Sequence, residues 1–295
     1  MIDQLFVVLF ALCAAIFAAV GIVVRQRATM DVPEEDGVST VMLATLLRRP
    51  LWWAGTAAAV AGFVFQALAL DNGSLIVVQP LLVSALLFAL PLSAWLAHRR
   101  VTRGAWLWAM LLTVSLAIFI LLAHPRVSDQ VAPVATIVVV AAVCSVLVFG
   151  CVVIAVRRSG WQRAVPLAVA VGVLFGLVAV LTKMLMHELD RNSVAEVLST
   201  PLPYALVLLG VLATLLQQSA FHAGSLQTSV PTMLVIEPMA AVLLGVFLLG
   251  ETLTANRWEA VVLTFAVVAM TAATIALGRD EGAYEAELEA TSRGA

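Results

Sequence analysis

The chain has 295 residues, of which 63% are hydrophobic and only 12% are charged. A soluble domain carries about twice that charged fraction, so this composition excludes an ordinary soluble domain and predicts a chain that folds in lipid. The formal net charge of −2 offers no basic surface for nucleic acid, which is therefore not expected as a partner.

Nine apolar stretches of the sequence can each cross a bilayer as a helix, which needs about 20 residues. Helix is predicted throughout, because a lone segment in lipid must satisfy its own backbone hydrogen bonds. The predicted spans are residues 3–25, 51–71, 74–97, 104–123, 132–156, 164–186, 203–222, 226–249 and 257–278.

Two polar segments lie outside these spans. Residues 26–50, between the first two spans, are too polar to cross a membrane and are expected to lie on its surface. Residues 279–295 are acidic and poor in large apolar side chains, so they are interpreted as a cytoplasmic tail.

The basic residues are distributed unequally between the two sides of this layout. Counted from the N-terminus, the odd-numbered loops and the C-terminal tail hold twelve arginines, whereas the other side holds three arginines and one lysine. The positive-inside rule therefore predicts a multi-pass protein of the cell membrane with its N-terminus outside and its C-terminus in the cytoplasm.

The two halves of the sequence resemble each other, which predicts an internal repeat. Positions recur 151 or 152 residues later, pairing Gln66 with Gln217, Ala69 with Ala220, 73–75 with 224–226, Pro80 with Pro231, Thr102 with Thr254 and Trp106 with Trp258. The first repeat is residues 1–125, the second is residues 161–278, and residues 126–160 hold a linking fifth helix. Because five crossings separate their starts, the repeats have opposite orientation, as in many secondary transporters. The predicted fold class is an all-α polytopic membrane protein with two inverted four-helix repeats.

In such transporters the substrate site lies at mid-membrane, beside helices interrupted in corresponding positions. Pro80 in the third span and Pro231 in the eighth fit this description, and Pro238 adds a second break to the eighth. Glu237 lies near the middle of the span 226–249, where a carboxylate is costly and is a functional-site candidate by default. The alternative is a protonated or hydrogen-bonded carboxyl group that only fixes helix packing.

Gln79 is a candidate partner of Glu237, because it precedes Pro80 as Glu237 precedes Pro238. The two dipeptides are 158 residues apart, a seven-residue slip from the register of the repeat, so their equivalence is left open. Further polar candidates within the spans are Gln66, Gln217 and His222. They either line a polar path or hold helices together.

Three other features carry smaller predictions. Lys183 is the repeat counterpart of Arg25, and both are expected to extend toward lipid headgroups, with Lys183 and Glu251 kept as secondary site candidates. The spacing of Gly172 and Gly176 indicates close helix packing. The sequence holds no ATPase, hydrolase or zinc motif, so neither an enzyme nor a cofactor is expected, and no metal site is assigned.

Residues 237–245, Glu-Pro-Met-Ala-Ala-Val-Leu-Leu-Gly, followed by Gly-Glu-Thr-Leu-Thr at 250–254, carry a family resemblance. They resemble the second-repeat motif of the drug/metabolite transporter superfamily, of the EamA-like kind. The first repeat is degenerate, since it keeps Pro80 but lacks the Gly-Glu pair. The nine-span layout is similar to the NIPA magnesium-transporter branch.

The resemblance implies a secondary transporter that moves a small solute or metabolite by alternating access, without fixing the substrate. Binding is expected near Glu237 and Gln79. Two alternatives stay open: a magnesium or divalent-cation transporter of the NIPA type, and a non-transporting membrane subunit in envelope or lipid handling. The expected partners are the lipid bilayer and a small-molecule or ion substrate, and a homodimer is left open.

Overall fold

The computed structural model describes residues 2–30, 49–96, 101–126, 132–223 and 226–292. Within these ranges, residues 2–3, 25–30, 161, 218, 221–222, 226–228 and 280–292 are described by their backbone alone. Most of the predicted surface segment 26–50 therefore lies outside the described residues. The described chain is a polytopic helical protein, with eight helices that are long and apolar enough to cross a membrane.

The described residues form eleven helices and two short strands. In chain order these are α1 (Ile2–Met30), α2 (Pro50–Asn72), α3 (Leu75–Leu82), α4 (Ala85–Leu96), α5 (Arg103–Leu122), β1 (His124–Arg126), α6 (Val134–Val156), α7 (Trp161–Arg191), α8 (Val194–Ser199), α9 (Leu202–Ala223), α10 (Leu226–Leu249), β2 (Thr252–Thr254) and α11 (Arg257–Ser292).

Eight of the predicted spans correspond to these membrane-length helices, with α3 and α4 together forming the third. The seventh predicted span coincides with α9, whose apolar part is the shorter stretch Leu202–Gln217. The ninth helix, α11, does not end near residue 278 but continues to Ser292, so much of the predicted tail is helical.

The third span is broken shortly after Pro80. The helix α3 ends at Leu82, two residues beyond this proline. Proline has no backbone N–H, and its ring blocks the bond to the carbonyl four residues earlier. Val83 and Ser84 then form a turn, in which their N–H groups bond to the carbonyls of Pro80 at 3.2 Å and Leu81 at 3.0 Å. These bonds span three residues, as in a tightened helical turn. The predicted interruption of this span is confirmed.

The corresponding interruption of the eighth span is wrong, because α10 is one continuous helix with Pro231 and Pro238 inside it. A Cβ atom at Gly278 of α11 would lie 3.3 Å from the Cα atom of Pro231, so a neighbouring helix supports α10 closely there. Neighbouring helices make proline tolerable within a membrane helix.

The helices α7 and α10 lie side by side and run in the same direction. A Cβ atom at Gly172 would lie 2.7 Å from the Cβ atom of Ile236, and one at Gly176 would lie 2.8 Å from that of Ala240. Only glycine leaves room for the backbones to approach this closely. The close packing predicted from the two glycines is confirmed.

One end of the molecule, which we call the strand face, is marked by the pairing of β1 with β2. The strands are antiparallel, with Pro125 opposite Leu253. They tie the connection after α5 to the connection after α10. Nearby, the N–H of Ala132 donates to the carbonyl of Leu248 at 2.9 Å, which fixes the approach to α6.

The core lies around α3, in which six of eight residues are buried. The opposite case is α6, where Ala155 is the one buried side chain. A helix that is apolar all round and exposed in this way is suited to face lipid tails. The linking helix is therefore peripheral.

Candidate functional site

Glu237 lies in the middle of α10, beside the glycine face of α7. A Cβ atom at Gly172 would be 3.0 Å from the backbone nitrogen of Glu237, so the position of this residue is set by backbone contact. Its side chain is half-buried. Among the residues that the structure describes, none forms a hydrogen bond or ion pair with its carboxylate. An intramembrane carboxylate is thus held in place without a protein partner in the described chain.

The depth of Glu237 follows from the contact of α10 with α3. A Cβ atom at Gly245 would lie 3.2 Å from the Cβ atom of Leu75, and α3 starts where α10 ends, so the two helices run in opposite directions. At 1.5 Å per residue, Glu237 and Val83 each lie about 12 Å along their helices from this contact. Glu237 therefore lies at the depth of the break between α3 and α4.

Gln79 lies on the same broken helix and is only 2% exposed. No described residue accepts a hydrogen bond from its Nε2 atom. Leaving a buried amide donor unpaired costs about 1–3 kcal/mol, so it needs a functional or solvent explanation. Counted from Leu75, Gln79 lies about 6 Å along the helix, which places it within about 6 Å of the depth of Glu237. Pro80, which follows it, is half-buried.

The other predicted site residues are spread more widely. Gln66 on α2 and Gln217 on α9 are half-buried, and no hydrogen bond joins either side chain to another described residue. Pro231 is buried and Pro238 is half-buried, both on α10. The side chains of His222 and Arg25 lie outside the described part of the chain. Glu237 and Gln79 lie at similar depth on two helices that contact each other.

Lys183 does not extend to the headgroups, and that interpretation is wrong. The residue is only 8% exposed. Its Nζ atom donates to Oε1 of Glu251 at 2.5 Å and to the carbonyl of Gly73 at 2.7 Å. A buried carboxylate and a free carbonyl at the end of α2 satisfy the ammonium group, so the side chain has no need to reach water.

Glu251 is fully buried and ties the two halves of the chain together. Its carboxylate accepts from the backbone N–H groups of Leu75 at 3.0 Å and Ile76 at 3.2 Å. These donors lie in the first turn of α3, at the positive end of its dipole, where an anion is stabilised. Ser74 occupies the usual capping position, but its hydroxyl has no partner among the described residues, so Glu251 is the cap.

Acidic side chains lie near this ion pair on the strand face. Asp71 at the end of α2 lies close enough to Asp190, at the end of α7, and to His187 and Lys183 for their charges to act on it. Within the described residues, no group of three or more acidic, histidine or cysteine side chains is arranged to hold a metal ion. No metal ligand set is therefore assigned to this chain.

Comparison with known proteins identifies a relative of this chain. No protein-family model matches it, and no solved structure matches it. A protein of Corynebacterium glutamicum described as uncharacterized is 36% identical over 277 residues, which cover 94% of this chain and 96% of that protein. The similarity therefore extends over nearly the whole length of both chains. The chain therefore belongs to the same family as this corynebacterial protein.

Proposed function

We propose that the protein is a secondary transporter that moves a small solute or ion across the cell membrane by alternating access. The observation that carries the proposal is the carboxylate of Glu237, in the middle of an apolar helix and without a partner among the described residues. A carboxylate is costly inside a membrane and commonly marks a substrate or ion pathway. The resemblance of residues 237–254 to the EamA-like motif supports the same function.

The broken third span supports a binding site at this depth. In transporters built from inverted repeats, substrate sites form where helices are discontinuous near the bilayer centre. The break at Val83 and Ser84 lies level with Glu237, and the unpartnered amide of Gln79 is about one turn away. A solute between α3 and α10 would therefore meet a carboxylate, an amide donor and backbone groups of the break.

The packing of the helices supports two inverted repeats. In the first half, α1 packs on α2 and on the broken pair α3–α4; in the second, α7 packs on α9 and α10. The equivalent helices α3 and α10 contact each other, and so do α5 and α11. A two-fold relation between residues 1–125 and 161–278 accounts for these pairings. Rocking of one repeat against the other would expose the site to each side in turn.

Nine crossings, with the strand face outside, agree with the same contacts. Because α7 and α10 run parallel, the chain must return between them, and α9 is the helix available. The pairing of β1 with β2 requires an even number of crossings between them. Four crossings lie between the strands if each of four helices spans the membrane: α6, α7, α9 and α10. If α9 stayed on one side, there would be three crossings, an odd number.

This topology predicts which positions a membrane-impermeant thiol reagent reaches, once the three native cysteines are replaced by alanine. Asn192→Cys and Thr254→Cys are expected to react in intact cells. Ser159→Cys and Ala223→Cys are expected to react only after permeabilisation, because they lie on the opposite side of α7 and α9. Reaction of Ala223→Cys in intact cells would show that α9 does not cross and would remove the inverted repeat.

Transport itself is tested by uptake into proteoliposomes, with and without a pH gradient. The candidate solutes are amino acids, organic amines, nucleotide sugars and magnesium, supplied as labelled compounds or followed with an indicator. We expect saturable uptake of one class that empty liposomes lack. Absence of uptake for every class, from protein shown to be folded and inserted in both orientations, would contradict the proposal.

A further inference from the structure

The strand face is sealed by a polar contact rather than by apolar packing alone. Glu251 is fully buried, Lys183 is 8% exposed and Ser74 is 1% exposed, so water is excluded from the ion pair and from the start of α3. By contrast, Glu237 in the middle of α10 is half-buried. The described chain is therefore closed at the strand face, between Glu237 and the end of the molecule.

The closing contact joins the two halves of the chain. Glu251 and Lys183 belong to the second half, whereas the carbonyl of Gly73 and the N–H groups of Leu75 and Ile76 belong to the first. Motion of one half against the other at this face must break the bonds from the pair to Gly73, Leu75 and Ile76, whereas Lys183 and Glu251 belong to the same half and can move together. The close contacts of Gly172 and Gly176 with α10 lie within the second half, and they need not change in that motion.

The chemistry of the contact suits a gate that opens and closes. Burying two charges costs free energy that their attraction offsets only in good geometry, so such pairs stabilise a closed state weakly. When the face opens, water reaches both groups and hydrates them. The closed contact is therefore only weakly favoured over an open state in which water hydrates the two charges.

We propose that the contact of the Lys183–Glu251 ion pair with Gly73, Leu75 and Ile76 is the gate that closes the strand face of the transport path, and that this contact breaks in every cycle. The proposal rests on the transport function inferred above. Lys183 and Glu251 are positioning residues in this scheme, since they act through the mouth of the path and not on the solute. Loss of either partner leaves the other charge buried and unpaired, which disfavours the closed state.

A cysteine behind the gate reports its state. Ser74→Cys replaces a buried hydroxyl with a similar thiol between Gly73 and Leu75, the residues that bond to the pair. In a chain otherwise free of cysteine, a charged thiosulfonate reagent should modify it slowly. Adding Glu251→Gln or Lys183→Met should raise the rate about tenfold or more, because each leaves the gate with one unpaired partner.

A second reporter separates gating from general loss of structure. Ser115 on α5 is 3% exposed, and its hydroxyl donates to the carbonyls of Leu111 and Leu112 on its own helix and not to the ion pair. The reaction rate of Ser115→Cys should therefore stay unchanged in the same variants. Unchanged reactivity of Ser74→Cys, or an equal rise at both reporters, would overturn the gate and leave a structural ion pair. The labelling needs no solute, so its failure would leave the proposed role of Glu237 standing, and a failed uptake assay would not alter the labelling result.

Discussion

Replacing Glu237 with glutamine is expected to abolish coupled uptake in a protein that still folds. The amide is nearly the same size as the carboxyl group and still forms hydrogen bonds, but it neither carries a negative charge nor takes up a proton. A hydrogen bond to a charged group contributes about 1.5–3 kcal/mol, so uptake should fall at least about tenfold. The measurement is initial uptake into proteoliposomes at several pH values, for the solute that the wild-type protein transports.

The same change at Glu259 provides a matched control. Glu259 is half-buried in the first turn of α11, where it accepts from the N–H of Asn256 at 2.7 Å. Glu259→Gln keeps an acceptor oxygen and lies at the strand-face end of α11, not at mid-membrane, so uptake should be unchanged. Full uptake by Glu237→Gln, with the pH dependence of the wild type, would reduce Glu237 to a packing residue and remove the proposed site.

Hydropathy alone was enough to place most of the helices. Lipid imposes about 20 apolar residues on each crossing, so the ends of the spans follow from where charged and turn-forming residues begin. Glu237 could be placed at mid-span for the same reason, because its position depends only on the ends of α10. Gly172 and Gly176 could be assigned to packing because their spacing puts them on one face of a helix.

The ion pair could not be found in this way. Lys183 and Glu251 are 68 residues apart, and their bond depends on how α7, α10 and the start of α3 meet. A lysine near a helix end can bind a lipid headgroup as well as a buried carboxylate. Only the packing of the helices decides between these two interactions. The one available indication was that Gly250-Glu251 ends a membrane helix with a carboxylate, which the sequence could not connect to its partner.

The prolines of the third and eighth spans have different effects on their helices. Pro80 is followed by a break, whereas α10 continues through Pro231 and Pro238. Each proline removes one backbone hydrogen bond, but whether the helix then breaks depends on the helices around it. Local sequence therefore identifies where a helix is weakened, and tertiary packing decides whether it is interrupted.

The contact between α7 and α10 makes Gly176→Ala the substitution with the largest expected effect on stability. The added Cβ atom would lie 2.8 Å from the Cβ atom of Ala240 and 2.9 Å from the backbone nitrogen of Ala241. Backbone atoms cannot rotate away, so the helices must separate. Overpacking of this kind costs about 1–3 kcal/mol, which should be measurable as a lower free energy of unfolding in detergent. Because α10 carries Glu237, uptake should fall as well.

Gly150→Ala on α6 and Gly210→Ala on α9 are matched controls, since a Cβ atom at either position meets nothing within 4 Å. Alanine in place of glycine within a helix stabilises it by roughly 0.5–1 kcal/mol, so these variants should be as stable as the wild type or slightly more so. The same change from glycine to alanine is thus expected to lower the free energy of unfolding at Gly176 and to raise it slightly at the two controls. The cause is that the added Cβ atom meets α10 at Gly176 alone among the three positions. If Gly176→Ala behaved like the two controls, the close approach of α7 to α10 would be incorrect, and with it the backbone contact that positions Glu237.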